Sequence, residues 1–185
     1  VTLSVDGPSA FTFGSVRMGD IGGVIGKITG SSPVTVGGKA DAMALTNTFQ
    51  NNNFSGNLGG AVGTVDQNAR LKADRLNLTN TMQKSAANMA DLVGVAAAGA
   101  VVDVAAVTYQ NTNQESVLVS TVNTGTMVRL SGALKDSSNR SKHIVRTQSD
   151  SLLFADTGFS FARTGTVTGN DVGNYGQILR NDSLG

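Results

Sequence analysis

Cysteine and tryptophan are absent from this 185-residue chain, proline occurs twice, and glutamate only once, at Glu115. Without cysteine there are no disulfides and no thiolate metal sites. Charge is also scarce: Asp, Glu, Lys and Arg make up 15% of the residues and the net charge is +1. So weak a field gives little attraction for nucleic acid or an anionic membrane. The longest apolar stretch, Val93 to Val102, is interrupted by two glycines, too short for a helical membrane span. The disorder signature of low hydrophobicity with high net charge does not fit. The chain opens at Val1 without Met, as expected of a processed or trimmed terminus, removal of a signal peptide being one route to it.

Catalytic signatures are missing too. No HExxH, GxSxG, SxxK, CxxC or EF-hand loop occurs. Gly19 to Gly30 reads GDIGGVIGKITG, but its spacing is not GxGxxG and Gly26-Lys27 is followed by Ile28. Glycine-punctuated strands, turning tightly or packing backbone to backbone, are the expectation there. Lys135 to Arg146 is basic and holds the only histidine, His143, without aromatic interleaving; it reads as a solvated loop and not a nucleic-acid patch. Ser149 and Asp150 lie near His143 in sequence, which does not make a triad. No catalytic residue, cofactor or definite metal site is assigned, and a non-enzyme is expected. Calcium at a Gly-rich turn such as Asn170-Asp171 is the one ion considered. Sequons stand at Asn53, Asn77, Asn139 and Asn181.

What is present is repetition. Lys39 to Gln50 reads KADAMALTNTFQ, and Lys72 to Gln83 reads KADRLNLTNTMQ, with eight of twelve positions identical. A weaker third copy starts at Asp103, DVAAVTYQNT. Strand parity places Met43, Leu45, Asn47 and Phe49 on one face of the first copy, Leu76, Leu78, Asn80 and Met82 on that of the second, and Val107 and Tyr109 on the third. Stacked on the aspartates, the copies put Leu45, Leu78 and Val107 in one column, and Asn47 and Asn80 in another with Tyr109. Recurrence at about thirty residues is the mark of stacked supersecondary units, each burying its neighbour's face. Asn and Gln amides both donate and accept, so like residues bond along such a stack.

Alternation continues around Val101–Val107 and Glu115–Val122, the latter including Val117 and Val119, with both faces apolar and burial on both sides expected. Phe159-Ser160-Phe161 echoes Phe11-Thr12-Phe13 and suggests strands paired at one edge. Leu78, Met82, Ala86, Met89 and Val93 also fit a helical spacing. Thr79, Asn80 and Thr81 are poor helix formers, so extended structure is favoured over the repeat, with one short helix allowed near 84–93.

The expected fold is therefore all-β: stacked strand-arch or sandwich-like sheets joined by Gly/Asn-rich turns. It forms a single domain over 1–185, with repeats over 34–130 and a terminal arm or tail over 169–185.

Over residues 34–130 the chain resembles functional amyloids, namely bacterial biofilm fibre subunits and the tubular sheath proteins of methanogenic archaea. The shared features are the imperfect repeats, Asn47, Gln50, Asn80 and Gln83 at fixed strand positions, abundant Gly and Ala, and few charges. The Asn-Gln-Gln signature of some fibre repeats is absent, Asn113-Gln114-Glu115 being the nearest approach. The resemblance implies a secreted, cell-surface structural protein that polymerises through β-strands with copies of itself into a filament, fibre or sheath. The assembly interface would use the twelve residues Met43, Leu45, Asn47, Phe49, Leu76, Leu78, Asn80, Met82, Val107, Tyr109, Val117 and Val119. Rival readings are a virus capsid, decoration or tail-tube subunit, and a donor-strand pilus subunit that donates Val1–Asp6 or its tail.

Overall fold

The computed structural model describes residues 2–3, 9–13, 18–49, 54–82, 88–112, 116–121, 125–138, 140–141, 144–147, 152–156 and 158–163. Within them the chain is all-β, and every strand pair is parallel. The first strands are β1 (Thr2–Leu3) and β2 (Ser9–Phe13). A wide rung follows: β3 (Met18–Gly22), β4 (Ile25–Ile28), β5 (Val34–Gly37) and β6 (Met43–Phe49). The next is β7 (Ser55–Gly59), β8 (Val62–Val65) and the long β9 (Arg70–Met82). Then come β10 (Asn88–Ala90), β11 (Val93–Ala96) and β12 (Val101–Asn111). The last rungs are β13 (Val119–Thr121) with β14 (Met127–Asp136), and β15 (Val145–Thr147) with β16 (Leu152–Ala155) and β17 (Ser160–Arg163).

Equivalent strands of successive rungs pair, so the chain winds as a parallel β-solenoid. A long sheet runs β1-β5-β9-β12-β14-β16, with β2 and β6 continuing it beside β9, and β17 beside β14. A second sheet runs β4-β8-β11-β13-β15, and a short third one β3-β7-β10. Asp20 and Asn57, paired across the short sheet, are 37 residues apart. Asn57 and Asn88, the next pair, are 31 apart, and Asp103 and Arg129 across the long sheet are 26 apart. The contraction from 31 to 26 coincides with the end of the short sheet at β10.

The long sheet is bent at one residue per rung. Arg75 (φ 57°), Ala106 (φ 52°) and Gly132 (φ 66°) are left-handed there. In β9 the buried set changes parity across that point, from Leu71 and Ala73 to Leu76, Leu78, Asn80 and Met82. The bend keeps both halves of the strand facing one interior. Like-sized side chains then stack along the axis: Met43, Leu76, Val107 and Leu134 form one column, and Leu71, Val102, Val128 and Leu153 another. Each of these eight is at most 5% exposed. Complete burial of one such side chain contributes about 1.5–3 kcal/mol.

At two glycines the second and short sheets approach backbone to backbone. A Cβ on Gly63 would stand 2.7 Å from Ile21 N, and one on Gly94 2.7 Å from Leu58 N. Backbone meets backbone there, as the glycines of the GDIGGVIGKITG stretch suggest. Ser116 to Thr121 are all buried, in keeping with a segment apolar on both faces. Val101–Val107 differs: Val102, Val104 and Val107 are buried, whereas Asp103 and Ala105 are half-buried and Ala106 is exposed. Its outer apolar face is built of small residues lying at the surface.

Three other expectations are corrected. The helix near 84–93 is not formed in its described part, because Asn88–Ala90 and Val93–Ala96 are strands; residues 84–87 lie outside the described set. The Phe11 and Phe161 segments do not pair with each other, since β2 pairs β6 and β17 pairs β14, at opposite ends of the long sheet. The third repeat is displaced by two residues: Val107 pairs Leu76, Tyr109 pairs Leu78 and Asn111 pairs Asn80. The terminal stretch 169–185 also lies outside the described residues.

Candidate functional site

All twelve residues expected at the assembly interface are inside the chain. Met43, Leu45, Asn47, Phe49, Leu76, Leu78, Asn80, Met82, Val107, Tyr109, Val117 and Val119 are each at most 4% exposed. The structure brings the first ten together in adjoining columns of the long sheet, where each covers the next rung of its own chain. Val119 lies on β13 of the second sheet, and Val117 on the approach to it.

The central polar feature of this interior is a ladder of Asn47, Asn80 and Asn111, in register and buried. Asn47 Nδ2 donates to Gly60 O at 2.8 Å and to Asn80 Oδ1 at 2.9 Å. Asn80 Nδ2 donates to Asp91 O at 3.1 Å and to Asp91 Oδ1 at 2.9 Å. Asn111 Nδ2 donates to the same Oδ1 at 3.3 Å. The ladder thus ties the long sheet to the corner where the short sheet passes into the second one. That corner holds Gly23, Gly60 and Asp91 in successive rungs, with Gly23 N donating to Gly60 O at 3.2 Å.

The amides need glycine at two of these corners. A Cβ on Gly23 would lie 2.6 Å from Asn47 Oδ1, and one on Gly60 2.6 Å from Asn80 Nδ2. At the third corner a carboxylate takes over as acceptor. Asp91 is 1% exposed, and its Oδ2 has no hydrogen-bond partner among the described residues. Burial drives its pKa up to about 7; Asn80 and Asn111 oppose the rise, and the charge of Asp136 adds to it. Asp136 is itself fully buried at the end of β14 and is held by a turn. It accepts from Ser138 N and Oγ (3.0 and 2.7 Å), Arg140 N (2.8 Å) and Ser141 N (2.7 Å). Tyr109 Oη and Ser141 Oγ, 3.1 Å apart, close the cluster.

A second polar ladder joins the short and second sheets. Asn88 Nδ2 donates to Asn57 Oδ1 and Asn57 Nδ2 to Asp20 Oδ1, both at 2.9 Å. Thr64 Oγ1 donates to the same Asp20 oxygen at 2.6 Å. The first ladder is sealed and the second half-buried, and the chemistry of both is cohesion between rungs.

The outer face of the long sheet carries a different arrangement. Lys72, Asp103, Arg129 and Phe154 succeed one another in a single cross-strand column. Arg129 grips Asp103 through two hydrogen bonds, from Nε to Oδ1 and from Nη2 to Oδ2, the latter at 2.9 Å. With Ser131 and Asp156 these residues line an open cleft of about 470 Å³.

Asp91, Gly60, Arg129, Ser131, Phe154 and Asp156 carry no signal of their own in the sequence, and Gly23, Lys72 and Asp103 are visible only as parts of the glycine-rich and repeat segments. A signal for the corner does exist: Gly22-Gly23-Val24-Ile25-Gly26, Gly59-Gly60-Ala61-Val62-Gly63 and Ala90-Asp91-Leu92-Val93-Gly94 are one motif repeated. It marks Asp91 as the residue standing where the other two rungs have glycine. Among the described residues there is no group of three or more His, Asp or Glu able to hold a metal ion, and no helix long and apolar enough to cross a membrane. Asn77 is exposed on β9, whereas His143, Ser149, Asp150, Asn170, Asp171 and the sequons at Asn53, Asn139 and Asn181 lie outside the described residues. No family model, curated protein or solved structure matches the chain.

Proposed function

We propose that the chain is a structural protein that associates end to end with further copies, continuing its own rung-on-rung pairing into an extracellular, cell-surface filament or sheath. The observation that carries this reading is the edge of the second sheet. Among the described residues, β4 pairs only with β8 and β15 only with β13, so each terminal strand of the second sheet has a single described partner strand. An open parallel edge is a template for another strand. Joining one end to the opposite end is a head-to-tail contact, which propagates as an open fibre unless its rotation closes a ring. The internal ladders support the reading because they contain the like-on-like, in-register stacking that such a fibre would extend.

The test is assembly of the purified protein, followed by electron microscopy and fibre diffraction over a range of concentration and salt. Filaments or tubes with a meridional repeat near ~4.7 Å are expected. A chain that stays monomeric throughout overturns the reading. Closed shells of fixed copy number would favour a virus shell subunit instead.

A further inference from the structure

We propose that the cleft on the outer face of the long sheet is a binding site for a neutral saccharide chain lying along the solenoid axis. Its lining consists of Lys72, Asp103, Arg129, Ser131, Phe154 and Asp156, and its open volume of about 470 Å³ is within the range of small-ligand sites.

Three properties select the ligand class. The first is charge. Two cations and two carboxylates cancel, and Arg129 is already neutralised by its two-bond contact with Asp103. A polyanion such as nucleic acid needs uncompensated positive charge, and this cleft offers none in excess. The second is the aromatic. Phe154 is 45% exposed, and it is the one large apolar side chain in that class among the described residues. A ring left in water beside polar groups gives a flat surface on which the C–H face of a pyranose can rest. The third is polarity. Carboxylates accept, ammonium and guanidinium donate, and the Ser131 hydroxyl does both. A ligand bearing vicinal hydroxyls, each both donor and acceptor, satisfies this mixture; a purely apolar ligand would strand it.

The fold supplies length and rigidity. Phe154, Arg129, Asp103 and Lys72 sit on four consecutive strands. Three interstrand steps span roughly 14 Å, so an extended ligand meets a new side chain at each rung. All of the lining side chains but Asp156, which follows the end of β16, rise from bonded strands, which lowers the ordering cost on binding. A peptide is a poorer fit, because strand addition needs a sheet edge and the cleft lies on a face.

The test is a microarray of neutral, uronic-acid and sulfated oligosaccharides, with single-stranded DNA of mixed sequence as a further probe. Binding to one or more neutral oligosaccharides, little changed by salt, is expected. Phe154→Ala and Asp156→Asn should each weaken it tenfold or more while circular dichroism stays unchanged; both side chains are exposed, so neither variant threatens the fold. Absence of binding to every neutral oligosaccharide overturns the proposal. So does binding that Phe154→Ala leaves intact, or binding confined to sulfated sugars or DNA.

Discussion

Asn80 Nδ2 stands 2.9 Å from Asp91 Oδ1, and that bond joins the long sheet to the corner between the other two. The same amide nitrogen bonds the Asp91 carbonyl, and its carbonyl oxygen receives Asn47. One side chain therefore links three rungs. Replacing it with leucine, close in volume, removes these partners and leaves the Asn47 amide and the Asp91 carboxylate under-bonded in a buried site. Each such orphan costs about 1–3 kcal/mol. Urea denaturation of Asn80→Leu should show a loss of about 2–5 kcal/mol, whereas Asn77→Leu on the exposed face of the same strand should change stability by less than about 0.5 kcal/mol.

Asp91 makes stability depend on pH in an unusual direction. Its folded pKa, about 7, lies above its ordinary value of 3.8, so the folded chain holds the proton more tightly than the unfolded one. The resulting contribution is fully present below the unfolded pKa and is lost as pH rises through the folded one. Each pH unit crossed within that window costs up to about 1.4 kcal/mol. The melting temperature should fall from pH 5 to pH 8, and Asp91→Asn should flatten that fall. A variant with the same pH profile as the parent would show that Asp91 does not carry it.

Gly60 is where the amide ladder touches the backbone. A Cβ there would lie 2.0 Å from Asp91 O and 2.6 Å from Asn80 Nδ2. Backbone on one side and a fixed amide on the other leave nothing to give way. Gly60→Ala should cost about 3 kcal/mol or more by thermal or chemical denaturation. Gly158→Ala, with nothing within 4 Å of the new methyl, should be close to neutral.

The bend column offers a gain. Ala106 is left-handed at φ 52°, while the next rung meets the same bend with Gly132 at φ 66°. The left-handed conformation costs an L-residue with a Cβ roughly 1–2 kcal/mol, partly offset by the greater freedom of glycine in the unfolded chain. Ala106→Gly should therefore stabilise by up to about 1 kcal/mol. Ala105→Gly, one residue earlier in ordinary strand conformation, should destabilise by about 0.5–1 kcal/mol. Paired denaturant midpoints for the two variants check the prediction.

Legibility tracked how tightly the interior constrains each position. The first two repeats were readable because Leu45/Leu78 and Asn47/Asn80 point inward, where identity follows from packing and bonding. The third repeat misaligns when anchored on Asp103, which pairs Lys72 on the outer face, where residue identity says little about register. Anchored on Asn111, it falls into place. The helical spacing of Leu78, Met82, Met89 and Val93 also has a physical source. A step of four satisfies a strand's period of two as well as a helix's, and Met89 and Val93 lie on separate strands either side of the Asp91 corner. The cleft was hidden because Lys72, Asp103, Arg129 and Phe154 come from four rungs of unequal length. No fixed spacing connects them in sequence.

That inequality of rungs bears on how the chain closes upon itself. Paired residues are 33 to 37 apart in the early rungs, 31 in the middle and 25 to 27 near the end. The entropy lost in bringing two points of a chain together rises only with the logarithm of the segment between them. Closing a 25-residue loop is easier than closing a 37-residue one by roughly 0.3 kcal/mol. The late turns of the chain are thus slightly easier to lay down than the early ones. No turn has to wait for contacts from the far end, so further rungs would lengthen the molecule without raising the sequence separation that slows folding.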